Sequence, residues 1–89
     1  MTSSITRAFR RHLSRLSPQA QRQATQAYRL WRSDPYHASL QFKQVSPRQP
    51  IFAVRIGMGH RALGLQEGEH IFWFWIGSHA DYDQLLKRL

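Results

Sequence analysis

Ile71-Phe72-Trp73-Phe74-Trp75-Ile76 is a run of six apolar residues with no polar side. A strand on the surface of a sheet alternates between apolar and polar. A short run that is apolar on both faces fits a strand inside the sheet and covered from above and below. Strict alternation puts Ile71, Trp73 and Trp75 on one face and Phe72, Phe74 and Ile76 on the other. The rest of the chain must supply two covers for that strand.

The N-terminal third supplies one of them. Ser3 or Ser4 is positioned to cap a helix reaching Leu16, with Ile5, Phe9, Leu13 and Leu16 near one face. Ser17 and Pro18 then fit the N-cap and first position of a second helix, which runs to about Arg32. Its inward stripe is Ala20, Ala24, Ala27, Tyr28 and Trp31. Asp34-Pro35 ends it, because proline disfavours helix at the residue before it. Two helices joined so tightly form a hairpin.

The second half reads as sheet. "SLQFKQV" alternates Leu40, Phe42 and Gln44 against Gln41, Lys43 and Val45, and "IFAVRI" sets Phe52, Val54 and Ile56 against Ala53 and Arg55. "HRALGL" and "HIFWFWI" come next, separated by turns at Gly57–Gly59 and around Gly68. "SHADYDQLLKRL" opens with a Ser78…Asp81 capping pattern and carries Leu85, Leu86 and Leu89, so it can form the second cover. The expected fold is α+β: an N-terminal helical hairpin on a four-stranded, mainly antiparallel sheet, closed by a short C-terminal helix. With 89 residues the expectation is one domain, 1–89. The start of the chain has no apolar core of signal-peptide length, and the longest apolar run is too short to cross a bilayer. A soluble cytoplasmic protein is the expectation.

Charge indicates the partner. Thirteen Lys and Arg face five Asp and Glu, and eleven of the thirteen are arginine. Arginine's planar fork suits phosphate and carboxylate, so nucleic acid or an acidic protein is the expected partner. Two arginines, Arg55 and Arg61, flank the glycine turn. Register decides whether they meet, since a one-residue slip sends a side chain to the other face. A four-residue loop pairing Ile56 with Arg61 separates them, whereas a bulge or an odd loop brings them together. Lys43 adds a third cation if its strand lies alongside. His79 and Tyr82, three apart at the start of the last helix, share a side. They are either a proton-transfer pair or a helix cap. Asp81 and Asp83 are poor phosphate neighbours and are expected to point away or toward Lys87 or Arg88. His12, His37, His60 and His70 show no zinc-ligand spacing, and no phosphate loop, GxSxG or cysteine nucleophile is present. The sequence thus calls for neither metal nor cofactor. Cations, a histidine and a tyrosine on a sheet suit cleavage of RNA, which carries its own 2′-hydroxyl nucleophile.

The helical hairpin succeeded by "LQFKQV", "FAVRIGMGHRALG" and "IFWFWIGSHADYDQLL" resembles the RelE/ParE toxin superfamily of bacterial type II toxin–antitoxin systems. The resemblance runs from about Phe9 to Leu86. For RelE-type members it implies a ribosome-dependent endoribonuclease acting on mRNA and neutralised by a cognate antitoxin. Residue by residue, Lys43 resembles the first-strand lysine, and Arg55 and Arg61 the arginines of the central hairpin. His79 and Tyr82 resemble the polar pair after the last strand. By this resemblance Arg55, Arg61, His79 and Tyr82 are catalytic, and Lys43, Arg55 and Arg61 bind RNA. ParE-type members share the fold and act on DNA gyrase without a ribonuclease site. A module that only binds an antitoxin is the third alternative.

Overall fold

The computed structural model describes Met1–Leu89. In chain order the elements are β1 (Thr2–Ile5), α1 (Arg7–Ser14), α2 (Pro18–Ser33), a 3₁₀ turn (Ala38–Leu40), β2 (Lys43–Gln44), β3 (Ile51–Ile56), β4 (His60–Glu67), β5 (His70–Ser78) and α3 (His79–Leu86). The expected α+β architecture is present, with five strands rather than four. The sheet order is β1-β5-β4-β3-β2. The pair β1 and β5 is parallel, and the other three pairs are antiparallel. Helices α1 and α2 cover one face, and α3 packs on β4 and β5 from the other.

The N-terminus departs from expectation. Ser3 and Ser4 do not cap a helix but lie in β1, opposite Ile71 and Phe72. Thr6 is the cap instead, its hydroxyl accepting from Phe9 N at 3.2 Å and donating to the Trp73 carbonyl at 2.9 Å. One side chain thus starts the helix and fastens it to the central strand. Strand pairing outcompetes helix here because the serines gain partners across the sheet. Ser3 Oγ meets Tyr28 Oη at 2.6 Å, and Ser4 Oγ meets His70 Nε2 at 2.7 Å. The second helix matches the sequence closely: Ser17 Oγ accepts from Ala20 N, Pro18 opens the helix and Asp34 closes it.

Between the helices and the sheet lies the larger core, which includes Phe9, Ala24, Trp31, Leu40, Phe42, Val54, Ile56, Ala62, Ile71, Trp73 and Ile76. Trp31 is its hub, edge-on to Trp73 at 5.3 Å and to Phe42 at 5.8 Å between ring centroids. Burial of each large side chain of this kind contributes about 1.5–3 kcal/mol. The second core, under α3, is Ile51, Ala53, Leu63 and Tyr82, with Phe74, Trp75 and Leu85 against it.

Strict alternation fails along the apolar strand. Gly64 pairs with Trp73 and Leu63 with Trp75, so Phe74 is an extra residue on β5. Such a bulge reverses the facing of the residues beyond it. Ile71, Trp73 and Ile76 face the helical hairpin, while Trp75 joins Phe74 on the α3 side. Gly64 accommodates the crowding, since a Cβ there would lie 2.5 Å from Ile71 Cγ2 and 2.8 Å from Trp73 Cε3. "SLQFKQV" is also less strand than expected. Ala38–Leu40 makes a 3₁₀ turn, and Gln41 adopts a left-handed conformation (φ 48°), leaving only Lys43–Gln44 in the sheet.

Candidate functional site

The turn between β3 and β4 settles where the two arginines go. Only Gly57, Met58 and Gly59 separate the strands, and Gly57 takes a φ of +57°. Ile56 therefore pairs with His60, and Arg55 directly with Arg61. Directly opposed residues project from the same face. Lys43 pairs with Ala53, two residues before Arg55, which puts the lysine on that face as well. It is the face that α3 covers in part.

Helix α3 delivers the remaining pair. Ser78 Oγ accepts from Asp81 N at 3.1 Å, the expected cap, and His79 N donates to the Gly59 carbonyl at 2.8 Å. The second bond fixes the helix start to the glycine turn between the arginines. Tyr82 is buried against Ala53 and Leu63. Lys43, Arg55, Arg61, His79 and Tyr82 line one cleft of about 110 Å³, together with Gln41, Ala53 and Val54. That is the space of three or four waters, the scale of a phosphate group rather than of a nucleotide.

Within the cleft the Arg61 guanidinium lies over the Tyr82 ring, 5.9 Å from its centroid. Arg61 Nη1 donates to the His60 carbonyl at 2.9 Å, and Arg55 Nε to that of Gly57 at 3.0 Å. These backbone bonds hold each stem and leave further N–H donors on each fork. Burial pushes the Tyr82 hydroxyl above its ordinary pKa, Arg61 opposes that shift, and Asp83 adds to it. Tyr82 accordingly keeps its proton at neutral pH. The rings of His79 and Tyr82 are 6.0 Å apart. Asp83 does not point away as expected. Its Oδ2 lies 3.4 Å from His79 Nε2, one helical turn on. Both side chains are about half exposed, so this contact orients the imidazole more than it stabilises the fold.

The sequence-derived candidates therefore come together. Gln41 was not foreseen, because its left-handed backbone places it in the cleft and nothing in its side chain announces that conformation. No group of three or more histidine or carboxylate side chains is arranged to hold a metal ion. The His79–Asp83 contact is the only close approach of a basic side chain to a carboxylate, so none of the thirteen Lys and Arg is neutralised by one.

A two-helix layer on a mixed sheet, with a short helix on the far face, is a RelE-like toxin fold. A family model of the ParE-like toxin domain matches residues 18–84, and the chain belongs to that family. A crystal structure of a copper-bound mutant toxin from Helicobacter pylori superposes with a TM-score of 0.61 at 13% identity, covering 91% of this chain and 97% of that one. At that identity the likeness concerns the fold. No curated protein matches the chain in sequence. A toxin domain implies an antitoxin partner in general. No helix is long and apolar enough to cross a membrane.

Proposed function

We propose that this toxin is an endoribonuclease that cleaves mRNA on the ribosome. The observation that carries the reading is the convergence of Lys43, Arg55, Arg61, His79 and Tyr82 on one phosphate-sized cleft. In this scheme His79, oriented by Asp83, takes the proton of the RNA 2′-hydroxyl. The freed oxygen attacks the adjacent phosphorus, and the bond to the 5′-oxygen breaks. Arg55, Arg61 and Lys43 neutralise the charge that builds on the non-bridging oxygens, the largest single effect expected in such a site. Tyr82, protonated at neutral pH, gives its proton to the departing 5′-oxygen. The products are a 2′,3′-cyclic phosphate and a 5′-hydroxyl, so atoms and charge balance.

One observation favours a rival. The arginines each spend one donor on a nearby backbone carbonyl, Arg55 on that of Gly57 and Arg61 on that of His60, as they would if their role were to stiffen a non-catalytic surface. That reading is a ParE-type toxin acting on DNA gyrase. Induced expression with parallel measurement of mRNA integrity and plasmid supercoiling separates the two. The ribonuclease reading expects rapid mRNA loss at unchanged supercoiling, and intact mRNA with altered supercoiling overturns it.

A further inference from the structure

A second cleft lies on the other side of α3. It measures about 420 Å³, and its walls include His12 and Arg15 from α1, Trp75 from β5, and Asp81, Gln84 and Arg88 from α3 and its end. That is the size range of small-ligand sites and ample for a nucleobase. The bulge at Phe74 is what brings Trp75 to this face. Gly77 lets the indole lie against the strand, since a Cβ there would fall 2.6 Å from Trp75 Cζ2. His12 stands beside it, with ring centroids 6.2 Å apart. Two rings and two arginines, with neither arginine paired to a carboxylate, combine a stacking platform with a phosphate clamp. That pairing is the general chemistry of single-strand nucleic-acid grooves. Burial, with the nearby charges of Arg15 and Arg11, keeps His12 below its usual pKa and so uncharged at pH 7. Asp81 and Gln84 bring acceptors, which suit the exocyclic amino group of adenine or cytosine and offer uracil less.

The geometry points to this groove as a nucleotide-binding subsite for single-stranded RNA, in which a base stacks on Trp75 and its phosphate meets Arg15 and Arg88. The inference rests on RNA being the substrate and extends that reading. Ser78, which lines the groove, adjoins His79, which lines the phosphate-sized cleft. Gly77, another groove residue, pairs with Arg61 across the strands. A strand held at Arg55 and Arg61 thus has its neighbouring nucleotide within reach over the first turn of α3.

Tryptophan emission provides the test. Trp31 and Trp73 are 1% and 3% exposed, while Trp75 is only half-buried, so quenching by a solute in water reports mainly on Trp75. The probe is a 2′-O-methyl RNA hexamer of adenine and cytosine, which lacks the free hydroxyl needed for cleavage. The expected result is saturable quenching in the parental protein. Affinity is read from the fluorescence anisotropy of a fluorescein-labelled hexamer, because Trp75→Leu removes the reporting indole. It should fall about 5- to 150-fold in Trp75→Leu, the range for losing one stacked base, and at least about tenfold in Arg15→Ala, Arg88→Ala. The arginine pair guards against a Trp75→Leu protein that does not fold. An abasic hexamer, with the same phosphates, should bind without quenching. Equal quenching by the abasic probe, or parental affinity in the arginine pair, overturns the subsite. Arg55→Ala, Arg61→Ala should lose cleavage of ordinary RNA and bind the hexamer more weakly, yet still quench Trp75 at saturating probe. Quenching by the parental protein together with failure to cut ordinary RNA on ribosomes supports the groove while refuting the nuclease.

Discussion

Replacing Arg61 by alanine separates catalysis from architecture. In the folded protein Arg61 makes one hydrogen bond to the His60 carbonyl and one cation–π contact with Tyr82. At a partly exposed site these contribute about 0.5–1.5 and 0.5–1 kcal/mol. Arg61→Ala should therefore cost about 1–2 kcal/mol, a fall in Tm on the order of 5–15 °C for a domain of this size. From a starting stability of even about 5 kcal/mol, some 99% of the variant stays folded at 25 °C. Unfolding thus removes almost none of the activity. Loss of one preorganised donor to a developing oxyanion costs about 10²–10³ in rate. Arg61→Lys keeps the charge without the fork and should fall between. The assay is single-turnover cleavage of ribosome-bound mRNA beside thermal melting of the same preparations. An alanine variant that is folded and cuts at the parental rate would refute the assignment, as would activity that tracks the folded fraction.

His79→Ala should lower cleavage while the melting temperature stays near parental, and a matching fall in both would make His79 only a helix-start residue. Tyr82 has its proton held more tightly in the native state than in the unfolded chain, so stability is lost as pH rises past about 10. Tyr82→Phe should remove that part of the alkaline loss, read from denaturation midpoints, and an unchanged alkaline slope would contradict the burial argument. His12 has the opposite sign: its native pKa lies below 6.5, so the unfolded chain binds the proton first and stability drops as pH falls below that value. His12→Gln should flatten this acid limb in the same measurement. Gly64→Ala should destabilise by about 1–3 kcal/mol through overpacking against Ile71 and Trp73, and a neutral result would show that the bulge relaxes freely.

The parts of the fold that were legible in the sequence depend on local chemistry. Ser17-Pro18 and Asp34-Pro35 bracket α2 as read, and the alternation in "IFAVRI" assigns its two faces correctly. Thr2–Ile5 was not legible as a strand, because its pairing partner lies at the far end of the chain and its serines are also good helix caps. The facing of Trp75 was hidden for a related reason. A bulge in a run of uniformly apolar residues leaves no trace in the pattern, and the glycine that accommodates it sits on the neighbouring strand. The site residues were legible as types and as positions, but their convergence was not. Whether Arg55 and Arg61 share a face depends on the length of a glycine turn, and sequence left both registers open.

The parallel pairing of β1 with β5 also sets an order of events during synthesis. Thr2 and His70, joined through Thr2 Oγ1 and His70 Nδ1, are 68 residues apart. At about 5–20 residues per second the first strand waits roughly 3–14 s for its partner to be made. His79 and Tyr82 are later still. A nascent chain can wind its two helices and close the β3–β4 hairpin, bringing the arginines side by side, with no helix α3 to finish the cleft. The cleft is thus incomplete by topology until α3 has been translated, after the arginines that line it.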